Sequence, residues 1–171
     1  MKKSDLEFLR KKALGLGAKA CKIIDVASVK TGAWVRNKCQ FGCPGFKESL
    51  TCPPYSPTPE QTQKVLDCFK KAVLIHCESG SKKDISQIAV EIEKAAFFLG
   101  YYKAWAMGAG PCRICPSCNV KALCRHSYKA RPSMEACGID VFRTVRNNGF
   151  TIETLDAPNC KATYFALVLI D

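Results

Sequence analysis

Residues 72–107, AVLIHCESGSKKDISQIAVEIEKAAFFLGYYKAWAM, hold the reading that decides the fold. AVLIHC (72–77) is a continuous apolar run, the pattern of a central strand covered on both faces. Asp84 starts a helix that runs through Leu99 and puts Ile85, Ile88, Ile92, Ala95, Ala96 and Leu99 on one side. Gly100 stops it, and YYKAWAM (101–107) reads as the next strand. A strand, a helix and a strand in that order suggest a parallel pair joined by a crossover.

Outward from this unit the punctuation is clear. Toward the N-terminus, Thr58 and Pro59 open a helix over 59–70. Before it, residues 31–59 carry Gly32, Gly42, Pro44, Gly45, Pro53, Pro54, Pro57 and Pro59, which reads as a long structured loop of the functional kind. AKACKIIDVASV (18–29) reads as a strand. Residues 4–15 read as a helix with Ser4 as N-cap and Glu7 completing a capping box. Toward the C-terminus, SMEACGIDVFRTVRNNG (133–149) reads as a helix capped by Ser133, and TYFALVLID (163–171) as a closing strand. The expected architecture is α/β. It is a single domain over residues 1–171, with a small mixed or parallel sheet flanked by helices and two cysteine-rich loops carrying metal clusters.

The totals narrow the chemistry. The chain has 171 residues, 47% hydrophobic and 24% charged, the balance of a globular protein with a real core. The N-terminus lacks the apolar run of a signal peptide, and YFALVLI (164–170) is far shorter than the ~20 residues of a membrane span. Cytoplasmic placement is therefore expected. There, twelve cysteines should stay reduced, and metal binding explains them better than a disulfide framework. Two histidines are too few for a chain built on imidazole-bound metal.

The formal charge of +11 raises nucleic acid as a partner. However, two cubane clusters, each held by four thiolates, would lower it to roughly +7. The lysine pairs are also scattered, as on a solvated surface.

Two cysteine groups stand out. GPCRICPSCNVKALC (110–124) contains Cys112, Cys115, Cys118 and Cys124 in the spacing C-x2-C-x2-C-x5-C. Two short steps wrap one corner of an iron–sulfur cluster, and the longer last step lets Cys124 complete the same cluster. Zinc ribbons favour two separated C-x2-C pairs, so zinc is the alternative. CQFGCPGFKESLTCPP (39–54) contains Cys39, Cys43 and Cys52. Three thiolates can hold a cubane with one iron left open, or a fourth ligand can come from Cys137, Cys77, Cys68 or Cys21. The radical-SAM spacing C-x3-C-x2-C is absent. His126 and Arg113, Arg125 and Arg131 flank the four-cysteine group. There they could tune a cluster, and the arginines could also bind an anion. His76 reads as a hydrogen-bonded core histidine, and Trp34 and Trp105 as core or cluster cover.

CQFGCPGFKESLTCPPYSPTP, followed by GPCRICPSC and CRHSYKARPSMEACGID, resembles the uncharacterised "predicted metal-binding protein" family, domain of unknown function 2284. The resemblance spans roughly residues 18–170. It implies the functional set Cys39, Cys43, Cys52, Cys112, Cys115, Cys118 and Cys124, divided three plus four. The family pattern often carries a proline after the Arg-His, where this chain has Ser127, and Cys137 lies outside the motif.

The expected function is that of an iron–sulfur protein with one or two 4Fe–4S clusters. It would serve electron transfer, or redox and sulfur chemistry at an open iron. Its partner would be a redox protein or a small anionic or sulfur-containing ligand. The alternative is a zinc-stabilised module binding nucleic acid or protein.

Overall fold

The computed structural model describes residues 2–80, 83–157 and 160–171. In chain order the elements are α1 (Lys3–Gly15), β1 (Ala20–Asp25), a single 3-10 turn (Val26–Ser28), α2 (Ala33–Gly42), α3 (Pro59–Leu66), β2 (Lys71–Glu78), α4 (Ile85–Phe98), β3 (Trp105–Met107), α5 (Val141–Asn147) and β4 (Thr163–Leu169). The fold is a small mixed α/β architecture around one four-stranded sheet of order β1-β2-β4-β3.

Every pairing in that sheet is antiparallel. The parallel pair expected from residues 72–107 is corrected accordingly. β2 and β3 do run in the same direction, since each is antiparallel to β4, but β4 lies between them and takes the hydrogen bonds of both. The crossover through α4 therefore spans one strand position, as in a split β-α-β unit.

The sheet is covered on both faces. One face presents Cys21, Val73, Ile75, Cys77, Ala166 and Val168 to α1 and α4, where Leu9, Ile88, Ile92 and Ala96 are buried. The periodic stripe read from the sequence supplies this contact, and Asp84 caps α4 by accepting from the Ser86 and Gln87 amides. Each fully buried isoleucine there contributes at most about 1.5–3 kcal/mol. The other face presents Ala72, Leu74, Leu167 and Leu169 to Leu66, Met134, Cys137, Ile139 and Val145. This second layer is mostly irregular chain, and it carries the cysteine loops.

Local differences from the expected elements have local causes. Helix α1 starts one residue before Ser4, so Ser4 sits inside its first turn and donates to Asp5 Oδ1 instead of capping. Glu7 pairs with Arg10. The 31–59 stretch contains α2, a helix hidden by its sparse apolar pattern, of which only Val35 is buried. Thr58 and Gln61 form a complete capping box for α3, with Pro59 in its first turn. The helix expected over 133–149 is shortened to α5 because Gly138 takes φ +75°, where a Cβ would run into Pro59. Asp140, and not Ser133, caps it. β3 is shorter than expected because a tight turn, Ala104 N–H to Tyr101 O, precedes it.

No described helix is long and apolar enough to cross a membrane.

Candidate metal centres

The two cysteine groups lie side by side, their loops meeting at Gly45 and Pro111. The three-cysteine group hangs on α2. Cys39 lies in its last turns and Cys43 is its C-cap. Cys52 follows in a turn closed by its own N–H to Ser49 O (2.9 Å), and Ser49 Oγ reaches the Cys52 sulfur at 3.7 Å. Arg36 fixes the assembly. Its Nη1 donates to Ser56 Oγ (3.0 Å), Pro57 O (3.0 Å) and Ala136 O (2.7 Å), joining α2, the 52–57 loop and the 133–140 segment. Backbone bonds from Gly32 N–H to Gly138 O and from Asp140 N–H to Lys30 O hold the entry of α2 to the same segment.

The four-cysteine group follows β3. At Gly108 the chain leaves the sheet, and at Pro132–Met134 it returns, with Gly108 N–H to Pro132 O (2.8 Å) and Met134 N–H to Gly108 O (3.0 Å) closing the base of the loop. A side chain at Gly108 would collide with Ser86 of α4. Arg131 anchors the returning arm to Glu93 of α4 with two hydrogen bonds, and both side chains are largely shielded. Among the described residues, one backbone hydrogen bond lies wholly within 112–124, from Ala122 N–H to Asn119 O (3.3 Å). The loop has shape with little internal bonding to keep it.

Cys112, Cys115, Cys118 and Cys124 line one cavity of about 270 Å³, together with His126. Cys39, Cys43 and Cys52 line another of about 850 Å³, whose walls are mainly apolar, including Phe46, Ile139, Val141, Phe142 and Phe165. Gly45 and Pro111 line both cavities. A Cβ built at Gly45 would stand 3.7 Å from both the Cys43 sulfur and Pro111 Cβ, so the two loops pack closely where the cavities share a wall.

The electrostatics show thiols crowded together. Burial pushes the Cys39 thiol up, and Cys43, Glu135 and Cys52 push it further, against Arg36. Burial likewise raises Cys112, with a backbone bond from Ile114 opposing and Cys124, Cys115 and Cys118 adding. A bound cation reverses this logic, because it deprotonates a coordinating thiol outright.

All twelve cysteines are free. Among the described residues, no three His, Cys, Asp or Glu side chains form a group that could hold a single ion. One tetrahedral zinc at about 2.3 Å from each sulfur draws its thiolates to within ~3.8 Å of one another. A cubane bears its thiolates on separate irons and needs a wider frame. Four thiols line one small cavity, and thiolates are the donor set of zinc sites and iron–sulfur clusters alike.

A family model described as "Predicted metal-binding protein (DUF2284)" matches residues 22–170. The chain belongs to this family. No curated protein and no solved structure matches it. As a member of a metal-binding family rich in cysteine, it has seven of its twelve thiols gathered around the two cavities.

The remaining cysteines named as fourth-ligand candidates stand elsewhere. Cys21 and Cys77 pack on the α1/α4 face of the sheet. Cys137 is fully buried in the other core, and burial pushes its thiol up to about 12. Cys68 is exposed at the end of α3, where it donates to Lys64 O.

His76 stacks on Phe165 (4.9 Å, 13°), yet its buried Nε2 has no hydrogen-bond partner among the described residues, which corrects the expected hydrogen-bonded role. Trp34 lies on the cavity rim, exposed, as a cover. Arg131 is occupied by Glu93, leaving Arg113 and Arg125 exposed near the cluster loop. Glu135 was not foreseen. It lines the larger cavity beside Cys39, burial raises its carboxyl pKa, and its Oε2 is buried without a partner. A lone glutamate in PSMEACG carries no spacing signal that marks it.

Proposed function

We propose that the chain is a two-centre iron–sulfur protein. Cys112, Cys115, Cys118 and Cys124 hold a 4Fe–4S cluster that relays electrons. Cys39, Cys43 and Cys52 hold a second cluster, where redox or sulfur chemistry is done on a small molecule. A bound cluster supplies electrons and an iron that accepts sulfur or oxygen donors. The protein supplies the frame, the cavity and the exclusion of water.

The observation that carries this reading is the cavity of about 850 Å³ at the three-cysteine group. A simple electron carrier needs no such space, whereas a ligand site is typically a mainly apolar cavity of ~300–1,000 Å³ with a few polar groups. Lys38 is the basic side chain on its wall, beside Glu135, Asp140 and Glu153. These walls favour a ligand with an apolar body and one donor atom over a bare inorganic anion. The wall shared at Gly45 and Pro111 favours electron exchange between the two centres. The exposed Arg113 and Arg125 suit an acidic redox partner. Reduced thiols fit a reducing compartment such as the cytoplasm.

The test is anaerobic purification with iron, sulfide and zinc measured per chain, followed by EPR of the reduced protein. The expected result is about eight irons and eight sulfides. Zinc without sulfide, once aerobic loss is ruled out, sinks the redox reading in favour of a structural or binding module.

A further inference from the structure

Beyond Cys39, Cys43 and Cys52, no cysteine lines the larger cavity. Cys21, Cys77 and Cys137 are enclosed in the two cores, Cys68 lies at the far end of α3, and Cys160, exposed two residues before Ala162 of the wall, stands outside the lining. Three carboxylates do line it. Asp140 accepts from the Arg143 amide as the cap of α5, and Glu153 meets Arg146. Glu135 is different. Ser133 and its own backbone amide bond the carboxyl, yet its Oε2 is shut off from solvent without a hydrogen-bond partner, and no described ion pair involves it. Its own backbone carbonyl lies 4.0 Å from the Cys39 sulfur. Arg36, whose guanidinium holds the same segment through Ala136, donates to Ser56, Pro57 and Ala136 and not to the carboxylate. A buried carboxylate is normally paired, hydrogen-bonded or bound to a metal. Here the first two are missing on one oxygen, and three thiols share the cavity.

We infer that Glu135 is the fourth protein ligand of the Cys39–Cys43–Cys52 site, giving it a three-thiolate, one-carboxylate donor set. The inference rests on that site holding an iron–sulfur cluster. A carboxylate is a harder donor than thiolate and matches cluster iron less well. The iron it binds is then chemically unlike the others, and it is the position at which a molecule entering the cavity exchanges with protein. The ligand class follows: an apolar body ending in a thiolate or similar soft donor, able to displace the carboxylate.

The experiment is anaerobic reconstitution of the full chain with isotopically labelled iron and sulfide, comparing wild type, Glu135→Gln, Glu135→Ala, Cys39→Ser, Cys137→Ser and Cys160→Ser. Metal content and Mössbauer spectra are the readouts. In the wild type, about one iron in eight should give a distinct, hard-ligand subsite. Glu135→Gln and Glu135→Ala should abolish that signature and leave the four-cysteine cluster intact. Cys137→Ser and Cys160→Ser should retain it. Unchanged spectra and iron content in both Glu135 variants would overturn the assignment, as would loss of the subsite in Cys137→Ser or Cys160→Ser. If Glu135→Ala fails to fold, the isosteric Glu135→Gln decides alone. Full iron retention in Cys39→Ser removes the cluster from this site altogether, which identifies failure of the underlying reading and overturns the ligand assignment with it.

Discussion

Single residues carry the sharpest tests. On the two-cluster reading, replacing Cys115 by Ser should remove about half of the iron; metal analysis after anaerobic purification reads this directly. His76 offers a pH test independent of metal content. Burial lowers its pKa, with Glu78 opposing and Lys19 adding. The folded chain therefore prefers the neutral ring. Stability is at its full value above the unfolded pKa of about 6.5 and is lost as pH falls through the depressed folded value, because the unfolded chain takes up the proton first. Urea unfolding from pH 7.5 down to 5 should show a slope that His76→Gln flattens; equal slopes would put the ring's neighbours, and not the ring, in charge. At this scale the sequence was informative about sulfur and uninformative about oxygen. Short-range spacing exposes Cys112 to Cys124 because their partners are neighbours in the chain. Glu135 acquires its meaning only from the distant Cys39, brought alongside by Arg36 and by the backbone bonds of Gly32 and Asp140.

Among elements, α4 was legible because a 3.6-residue stripe and an Asp cap are both local signals. Helix α2 was not, because Arg36 and Val35 hold it through tertiary contacts while its glycine- and proline-rich surroundings read as loop. The pattern over 133–149 extends a helix ahead of α5 because nothing in it announces the positive φ of Gly138. The four-cysteine loop depends on the elements that bracket it. Arg131 and Glu93 are 15% and 12% exposed, and Glu93 Oε2 also accepts the Ala106 amide of β3 at 2.6 Å. Arg131→Ala should cost about 2 kcal/mol, less than a fully buried pair because some water reaches the site and the amide still satisfies part of the carboxylate. Thermal or urea unfolding measures the loss. Hydrogen exchange should also quicken across residues 112–130, where few backbone bonds resist opening.

For the whole molecule, the strand content could be read from apolar runs, but the strand order could not. Order depends on which strands meet across long loops, and β4 is inserted between two strands already joined through α4. The shared wall of the two cavities makes a prediction at this scale. When both clusters are reduced, their electron spins should couple, and the EPR spectrum should broaden relative to Cys39→Ser, which retains one cluster; a spectrum that is the plain sum of two isolated centres would count against centres placed on either side of that wall.

The late position of β4 has another consequence, in biosynthesis. It is the last of the four strands to be synthesised, and β3 has no other partner in the sheet. All seven cysteines thus leave the ribosome before the sheet can close, on a nascent chain whose long-range pairings are intrinsically slow to form. On the iron–sulfur reading, a metal-delivering protein would meet these thiols while the chain is still open, and the centres could be loaded before the sheet closes.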